Sequence, residues 1–297
     1  MVPWENIIVG LAYIVTALFC ASTNGIVGFV LLRYKEYHTT TYRIILNLLF
    51  GSIMQLSSHF VGGVITLHNG DLSLCLERIS GALMQSGWMV YLGSSLALAV
   101  DRTLAFVKIF NEKTTTIISW SFVAFSWLCG FVYLVGLSLP TFGFSYYTGK
   151  GYGTWYYDDQ VDTEYLETLE MILDFSILIS VLLLYCLVFV RIALMRQIAH
   201  AHASFSSIEL RILSVAVISF LYECTCLLWF FWGSQVMPDG MLSSVIITLL
   251  WIVDCGLFSL ATIAINTSIR KKILLLWMKQ KPTNIIVFHT ATHASKK

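Results

Sequence analysis

Charged side chains inside apolar stretches are the residues of this sequence that could do chemistry. Asp174, Glu223 and Asp254 each interrupt a long apolar run, and Arg102 stands near the end of another. A charge in such surroundings is costly unless it is paired, protonated or in contact with water. These residues therefore predict sites for a proton, an ion or a ligand, or polar contacts between helices.

The carboxyls leave two alternatives open at each place. Glu223 and Asp254 lie near the middle of their apolar stretches. Either they face each other around a proton, an ion or a ligand amine, or they act as neutral acids that hydrogen-bond between helices. Glu167, Glu170 and Asp174 have the spacing of one helix face. That face either receives a cationic ligand or forms a solvated helix start, where acids favour the positive end of the dipole.

The composition indicates the environment of these residues. Of 297 residues, 57% are hydrophobic and 12% are charged, against about 25% charged residues in soluble proteins. The net charge of +1 creates no field that would attract nucleic acid. The seven cysteines are scattered, so a disulfide scaffold is not predicted. A soluble enzyme, a disordered protein and a nucleic-acid binder are excluded, and a polytopic membrane protein remains.

Seven stretches have the length and apolar character of a transmembrane helix, which needs about 20 residues. They run over Ile7–Leu32, Ile44–Leu67, Ile79–Val107, Ile117–Leu139, Leu169–Val190, Leu213–Trp232 and Met241–Ile265. One set of loops and the C-terminal tail hold 16 of the 18 Lys and Arg residues, which places the N-terminus outside. The predicted fold is an all-α membrane protein, a seven-helix bundle with one long loop over residues 140–168.

A short cytoplasmic helix is predicted after the seventh span. Its apolar stripe, Ile269, Ile273, Leu276 and Trp277, lies beside Arg270 and several lysines. This pattern is typical of a helix on an anionic membrane surface, so membrane lipid is an expected partner. Residues 1–282 then form one domain, and residues 283–297 form a cytoplasmic tail that is predicted to be disordered.

Near its end, the third stretch contains Asp101-Arg102-Thr103. Asn24 lies in the first stretch and Trp127 in the fourth. The sequence resembles the rhodopsin-like G-protein-coupled receptors, whose Asp/Glu-Arg-Tyr motif has Thr103 in place of Tyr here. The resemblance implies structural roles for Asn24, Cys75, Trp127, Asn266 and Arg270. It also has departures: the fifth to seventh spans contain no proline, and the loop 140–168 contains no cysteine to pair with Cys75.

Within that family the sequence is most similar to the nematode serpentine chemoreceptors of class T, with class X second. The similar stretches are Tyr42–Leu46, Ser58–Gly63, Trp88–Tyr91, Pro140–Phe142 and Trp155–Asp158. The resemblance implies a chemosensory receptor for a small extracellular ligand, coupled to a heterotrimeric G protein. It places the chain in the plasma membrane, with a sensory cilium as one option, and implies no enzymatic activity, cofactor, metal or nucleic acid.

Arg102 is the predicted G-protein switch. A guanidinium at the cytoplasmic end of a helix must pair or reach water. Asp101 is its neighbour, and Glu209 begins the sixth span at the same depth. An ion pair between Arg102 and Glu209 would hold the third and sixth helices together, and its opening would form a cleft. The alternative is that Arg102 only anchors its helix on the positive inner side.

The ligand site is predicted between the outer halves of the helices. Aromatic and methionine walls suit a small, mostly apolar ligand, although such residues also serve helix packing and interfacial anchoring. The candidates are Met84, Gln85, Trp88, Asp174, Glu223, Trp229 and Asp254. The alternative function is a seven-helix transporter of a small solute, against which the missing internal repeat and the unbroken helices argue.

Overall fold

In a computed structural model, the described residues form seven long α-helices, one short α-helix, a 3-10 helix over Lys35–Tyr37 and a two-stranded hairpin. The structure describes residues 4–68, 73–107, 110–139, 141–147, 153–158, 161–198, 207–236 and 241–277. The helices are α1 Trp4–Arg33, α2 Thr40–His68, α3 Leu74–Val107, α4 Glu112–Ser138, α5 Val161–Ile198, α6 Ser207–Val236, α7 Met241–Ile265 and α8 Thr267–Trp277. By length and composition α1 to α7 can each cross a membrane, which confirms the seven predicted spans.

The loop between α4 and α5 is more structured than predicted. Helix α5 begins at Val161 instead of Leu169, because the apolar stretch marks only the part of a helix that the membrane surrounds. Two strands, β1 Phe144–Tyr147 and β2 Thr154–Tyr157, pair antiparallel with Phe144 opposite Tyr157. The expectation of a loop throughout residues 140–168 is therefore wrong.

Helix α3 lies at the centre of the bundle, and most of its membrane-embedded part is buried. Gly93 and Ala97 are small residues four positions apart on one face of α3, a spacing that lets a neighbouring helix approach closely. A Cβ atom on Gly93 would lie 2.6 Å from the Cβ atom of Ser126 on α4. Residues on α3 are therefore packed closely between the surrounding helices.

Helix α8 follows α7 directly, as predicted for a surface helix. The side-chain Oδ1 atom of Asn266 accepts hydrogen bonds from the backbone N–H groups of Ser268 and Ile269, 3.2 and 3.3 Å long. Asn266 thus caps the helix. Ile269 is buried, whereas the apolar residues that follow, Leu274 to Leu276, are exposed. The predicted tail, residues 283–297, lies outside the described residues.

Candidate functional site

A cavity opens between the outer halves of α3, α5, α6 and α7. It contains about 410 Å³ of empty space, counting the part that is open to the exterior. Most of its wall is apolar or aromatic, formed by Trp88, Leu227, Phe230, Ile247, Leu250 and Trp251. Two carboxyl side chains, Glu170 and Asp254, also line it. This combination of an apolar wall and a few polar groups is typical of a small-molecule site.

The β1–β2 hairpin covers this cavity. The Tyr156 ring stacks on Phe230 at 6.0 Å, and the Phe144 ring meets Trp251 edge-on at 6.5 Å. Polar contacts hold the hairpin to the bundle, because the backbone N–H of Tyr146 donates to Glu77 at 2.8 Å and its hydroxyl bonds Thr66 at 2.7 Å. The hairpin was not predicted from the sequence, although Trp155–Asp158, one of the stretches that resemble the class T chemoreceptors, includes part of β2.

No disulfide ties the hairpin to α3. All seven cysteines lie within the described residues, and each of them is free. Cys75, at the outer start of α3, is exposed. The absence of a partner cysteine in the loop thus leaves the hairpin attached by packing and hydrogen bonds alone.

One hydrogen-bond network joins the hairpin to α3 and α5. The hydroxyl of Tyr157 and the Nε2 atom of Gln85 both donate to Glu170, the latter at 3.0 Å. Burial and the nearby Glu170 carboxyl raise the pKa of the Tyr157 phenol well above its usual value, so the phenol keeps its proton and remains a donor. The network fixes the direction in which the Glu170 carboxyl points.

The acidic face of α5 turns partly inward. Glu170 and Asp174 are buried, and the Nε1 atom of Trp88 donates to both oxygens of Asp174, at 3.2 and 3.1 Å. Glu167, one turn nearer the helix start, is exposed. The interpretation of this face as a solvated helix start is therefore wrong for Glu170 and Asp174, because α5 presents them to α3 and the hairpin.

Glu223 and Asp254 come close to each other in the middle of the bundle. Tyr91 donates to the Oε1 atom of Glu223 at 2.6 Å, which links α3 to α6. The two carboxyls interact electrostatically, and both are buried. Among the described residues, Oε2 of Glu223 and Oδ1 of Asp254 have no hydrogen-bond partner. Of this pair, Asp254 lines the cavity.

The structure thus divides the predicted ligand residues into two groups. Trp88 and Asp254 line the cavity, and Glu170, which the sequence placed on the acidic face of α5, joins them. The other five do not line it: Met84, Gln85, Asp174 and Glu223 are buried, and Trp229 is half-buried. Met84 is fully buried, since α3 is enclosed on nearly all sides at that depth.

At the other end of α3, Arg102 and Asp101 form a buried ion pair. The Nη2 and Nε atoms of Arg102 lie 2.6 and 3.1 Å from Oδ2 of Asp101. The Thr41 hydroxyl on α2 donates to the same oxygen at 2.7 Å and also accepts from Arg102, while Ser119 on α4 donates to Oδ1 at 3.2 Å. The pair therefore connects α2, α3 and α4.

The predicted partner Glu209 is the third residue of α6, but its side chain lies outside the part that the structure describes. A different contact of α6 is present, in which Arg211 donates to the Thr267 hydroxyl of α8. Sequence reasoning did not identify Thr41, Ser119 or this contact. In the sequence these residues are recognisable only as polar residues near a helix end. Many residues without such contacts have the same position.

Other residues of the receptor-like motifs connect neighbouring helices. The side-chain Nδ2 atom of Asn24 donates to the backbone oxygen of Cys255 at 2.9 Å, joining α1 to α7. Trp127 on α4 donates to Asn47 on α2, also at 2.9 Å. Arg270 donates to the backbone oxygen of Ala264 at 2.8 Å, so it closes the junction between α7 and α8.

Known proteins resemble this chain in fold and in sequence. The structure matches the crystal structure of squid rhodopsin with a TM-score of 0.72, over 94% of this chain and 87% of that chain, at 13% identity. No curated protein sequence matches it. The family model "Serpentine type 7TM GPCR chemoreceptor Srt" matches residues 2–285. The chain belongs to the Srt chemoreceptor family.

Membership confirms the class T resemblance and the rhodopsin-like fold. The Srt receptor is a multi-pass membrane protein of the G-protein-coupled type, with a chemosensory role, and is not an enzyme. The transporter alternative is set aside, since the family is one of receptors. Small ligands and G proteins are the general partners of such receptors.

Proposed function

We propose that the Srt receptor binds a small extracellular ligand in the outer cavity and signals to a heterotrimeric G protein through a cytoplasmic cleft at Arg102. The observation that carries this proposal is the position of both sites on one helix. Trp88 lines the cavity and Arg102 belongs to the inner cluster, both on α3. They are 14 residues apart, which is about 21 Å along a helix.

The same helices contribute to both ends of the bundle. The cavity contacts α6 through Phe230, and the inner end of α6 holds Arg211, which is bonded to α8. A ligand that binds better to one arrangement of α3 and α6 shifts the population toward it. Opening of the inner end would release Arg102 from Asp101 and expose it to the G protein.

The orientation of the cavity also indicates where in the cell the receptor acts. A ligand cavity that opens on the outer side requires that side to face the cell exterior, so the plasma membrane is the working compartment, and a sensory cilium suits a chemosensory role. Helix α8 would lie on the inner leaflet, because Arg270 and Lys271 are exposed beside Leu274 to Leu276.

The first test is G-protein activation by a panel of small ligands in cells, with an N-terminal tag read without permeabilisation. Arg102→Ala is expected to lower the maximal response about tenfold, since hydrogen bonds of a charged group contribute about 1.5–3 kcal/mol. Lys113→Ala is the matched control, an exposed cation near the same end. A full response of surface-expressed Arg102→Ala would contradict the role of Arg102.

The ion pair between Arg102 and Glu209 is a separate part of the proposal. Glu209→Ala should raise signalling without ligand, because α6 would lose a contact that favours the closed arrangement. Basal activity is normalised to receptor at the cell surface. Glu112→Ala, an exposed acid at the start of α4, should leave it unchanged. If Glu209→Ala also leaves it unchanged, Arg102 is held by Asp101 and Thr41 alone.

A further inference from the structure

We propose that the ligand of the outer cavity is a small protonated amine with an apolar body, bound by Asp254 with Glu170 as a second carboxyl. This inference rests on the proposed function, because it takes the same cavity as the ligand site. It adds the chemical class of the ligand and the residue that makes the ionic contact.

The wall of the cavity carries acidic side chains. Glu170 and Asp254 line the cavity, and no Lys, Arg or His is among the described residues of its wall. Glu223 adds a third carboxyl beside Asp254. A cluster of acids without a cation is costly in a membrane-embedded site, and a bound cation removes that cost through direct pairing.

The hydrogen bonds show which carboxyl is available. Glu170 accepts from Tyr157 and Gln85, Asp174 accepts from Trp88, and Glu223 accepts from Tyr91. Oε2 of Glu223 and Oδ1 of Asp254 both have no partner within the described residues, but of these two residues only Asp254 lines the cavity, and it is 1% exposed. A buried oxygen without a donor, in the wall of a cavity, is the place where an ammonium N–H fits.

The aromatic wall indicates the same ligand class. The Trp251 ring meets Trp88 at 6.2 Å and Phe230 at 5.6 Å, both edge-on. The face of an aromatic ring attracts a cation, and the rings of Trp88, Phe230 and Trp251 line the same cavity as the two carboxyls. Leu227, Ile247 and Leu250 supply apolar surface for the body of the ligand.

The size of the cavity limits this body. The 410 Å³ of empty space includes the part that is open to the exterior, so the enclosed room for a ligand is smaller than this. The hairpin above it leaves no room for a folded partner, because Tyr156 and Phe144 contact the rim residues Phe230 and Trp251. A compact aryl or branched alkyl amine therefore fits beneath the hairpin better than a peptide does.

The test uses amines and neutral alcohols of the same shape. Melting temperatures of the purified full-length receptor are measured with 2-phenylethylamine against 2-phenylethanol, and with 3-methylbutylamine against 3-methylbutanol. At least one amine should stabilise the receptor at concentrations where its alcohol does not, since a ligand that binds only the folded state raises the melting temperature.

Variants of the acidic residues show which carboxyl makes the ionic contact with the amine. Asp254→Asn should weaken the apparent affinity for the amine at least tenfold, and Glu170→Gln by a smaller factor. Glu164→Gln, an exposed acid nearer the start of α5, is the matched control and should bind as the wild type does. If Asp254→Asn does not fold, the difference between amine and alcohol in the wild type and the effect of Glu170→Gln still decide the matter.

The outcomes separate this inference from the proposed function. Stabilisation by an amine that depends on Asp254, without G-protein activation, supports the amine site and counts against the proposed function. Activation by neutral ligands, with amines no better than their alcohols, supports the proposed function and overturns the amine site. The amine site is also overturned if no amine stabilises the wild type or if Asp254→Asn binds the amine equally well.

Discussion

A methyl group at position 81 is expected to abolish surface expression of the receptor. A Cβ atom on Gly81 would lie 1.7 Å from the backbone oxygen of Phe144 and 3.3 Å from the Trp155 ring. Neither obstacle is the free end of a flexible side chain, because Phe144 and Trp155 are fully buried strand residues. Gly81→Ala must therefore push the hairpin away from α3.

The expected loss follows from overpacking and from the removal of the cavity cover. Overpacking of a dense core costs about 1–3 kcal/mol, and more where backbone must move. Surface receptor is measured by an N-terminal tag, and stability by the melting temperature in detergent. Gly25→Ala on α1 is the control, since a Cβ atom there meets nothing within 4 Å. An unchanged melting temperature of Gly81→Ala would refute the close approach of hairpin and α3.

The second large effect is expected from Asp101→Asn, which should raise signalling without ligand about tenfold or more. Removing one partner of a buried ion pair costs about 3–5 kcal/mol, because the other charge stays buried. Arg102 is 8% exposed, and Asp101 supplies its carboxylate. An arrangement that opens the inner end and hydrates Arg102 escapes this cost, so the equilibrium shifts toward it.

Control variants show whether the rise comes from loss of the Asp101–Arg102 ion pair or from loss of any negative charge at this end of the bundle. Glu112→Gln removes an exposed acid at the same end of the bundle and should leave basal signalling unchanged. Thr41→Val should give a smaller rise than Asp101→Asn, since it removes only a neutral hydroxyl from the cluster. Basal signalling of Asp101→Asn at the wild-type level, with normal surface expression, would show that the pair does not restrain activation.

The sequence by itself determined the spans, the order of the helices and the surface helix α8. Long apolar runs and the spacing of Ile269 and Ile273 are local properties, so they can be recognised without knowledge of the fold. The pairing of Asp101 with Arg102 was not predicted, because neighbouring residues on a helix do not ordinarily face each other, and the sequence indicated Glu209 as the partner.

The tertiary structure alone decided which side chains meet across the bundle. Thr41 is bonded to Asp101 from 60 positions away, and Trp88 to Asp174 from 86, and such contacts leave no periodic pattern in the sequence. The helical spacing placed Glu170 on the acidic face of α5, but only the packing of α5 against α3 and the hairpin turned that residue inward. The surroundings of Asp254 have the same origin, since its neighbours on other helices bring it a second carboxyl and no described hydrogen-bond donor to Oδ1.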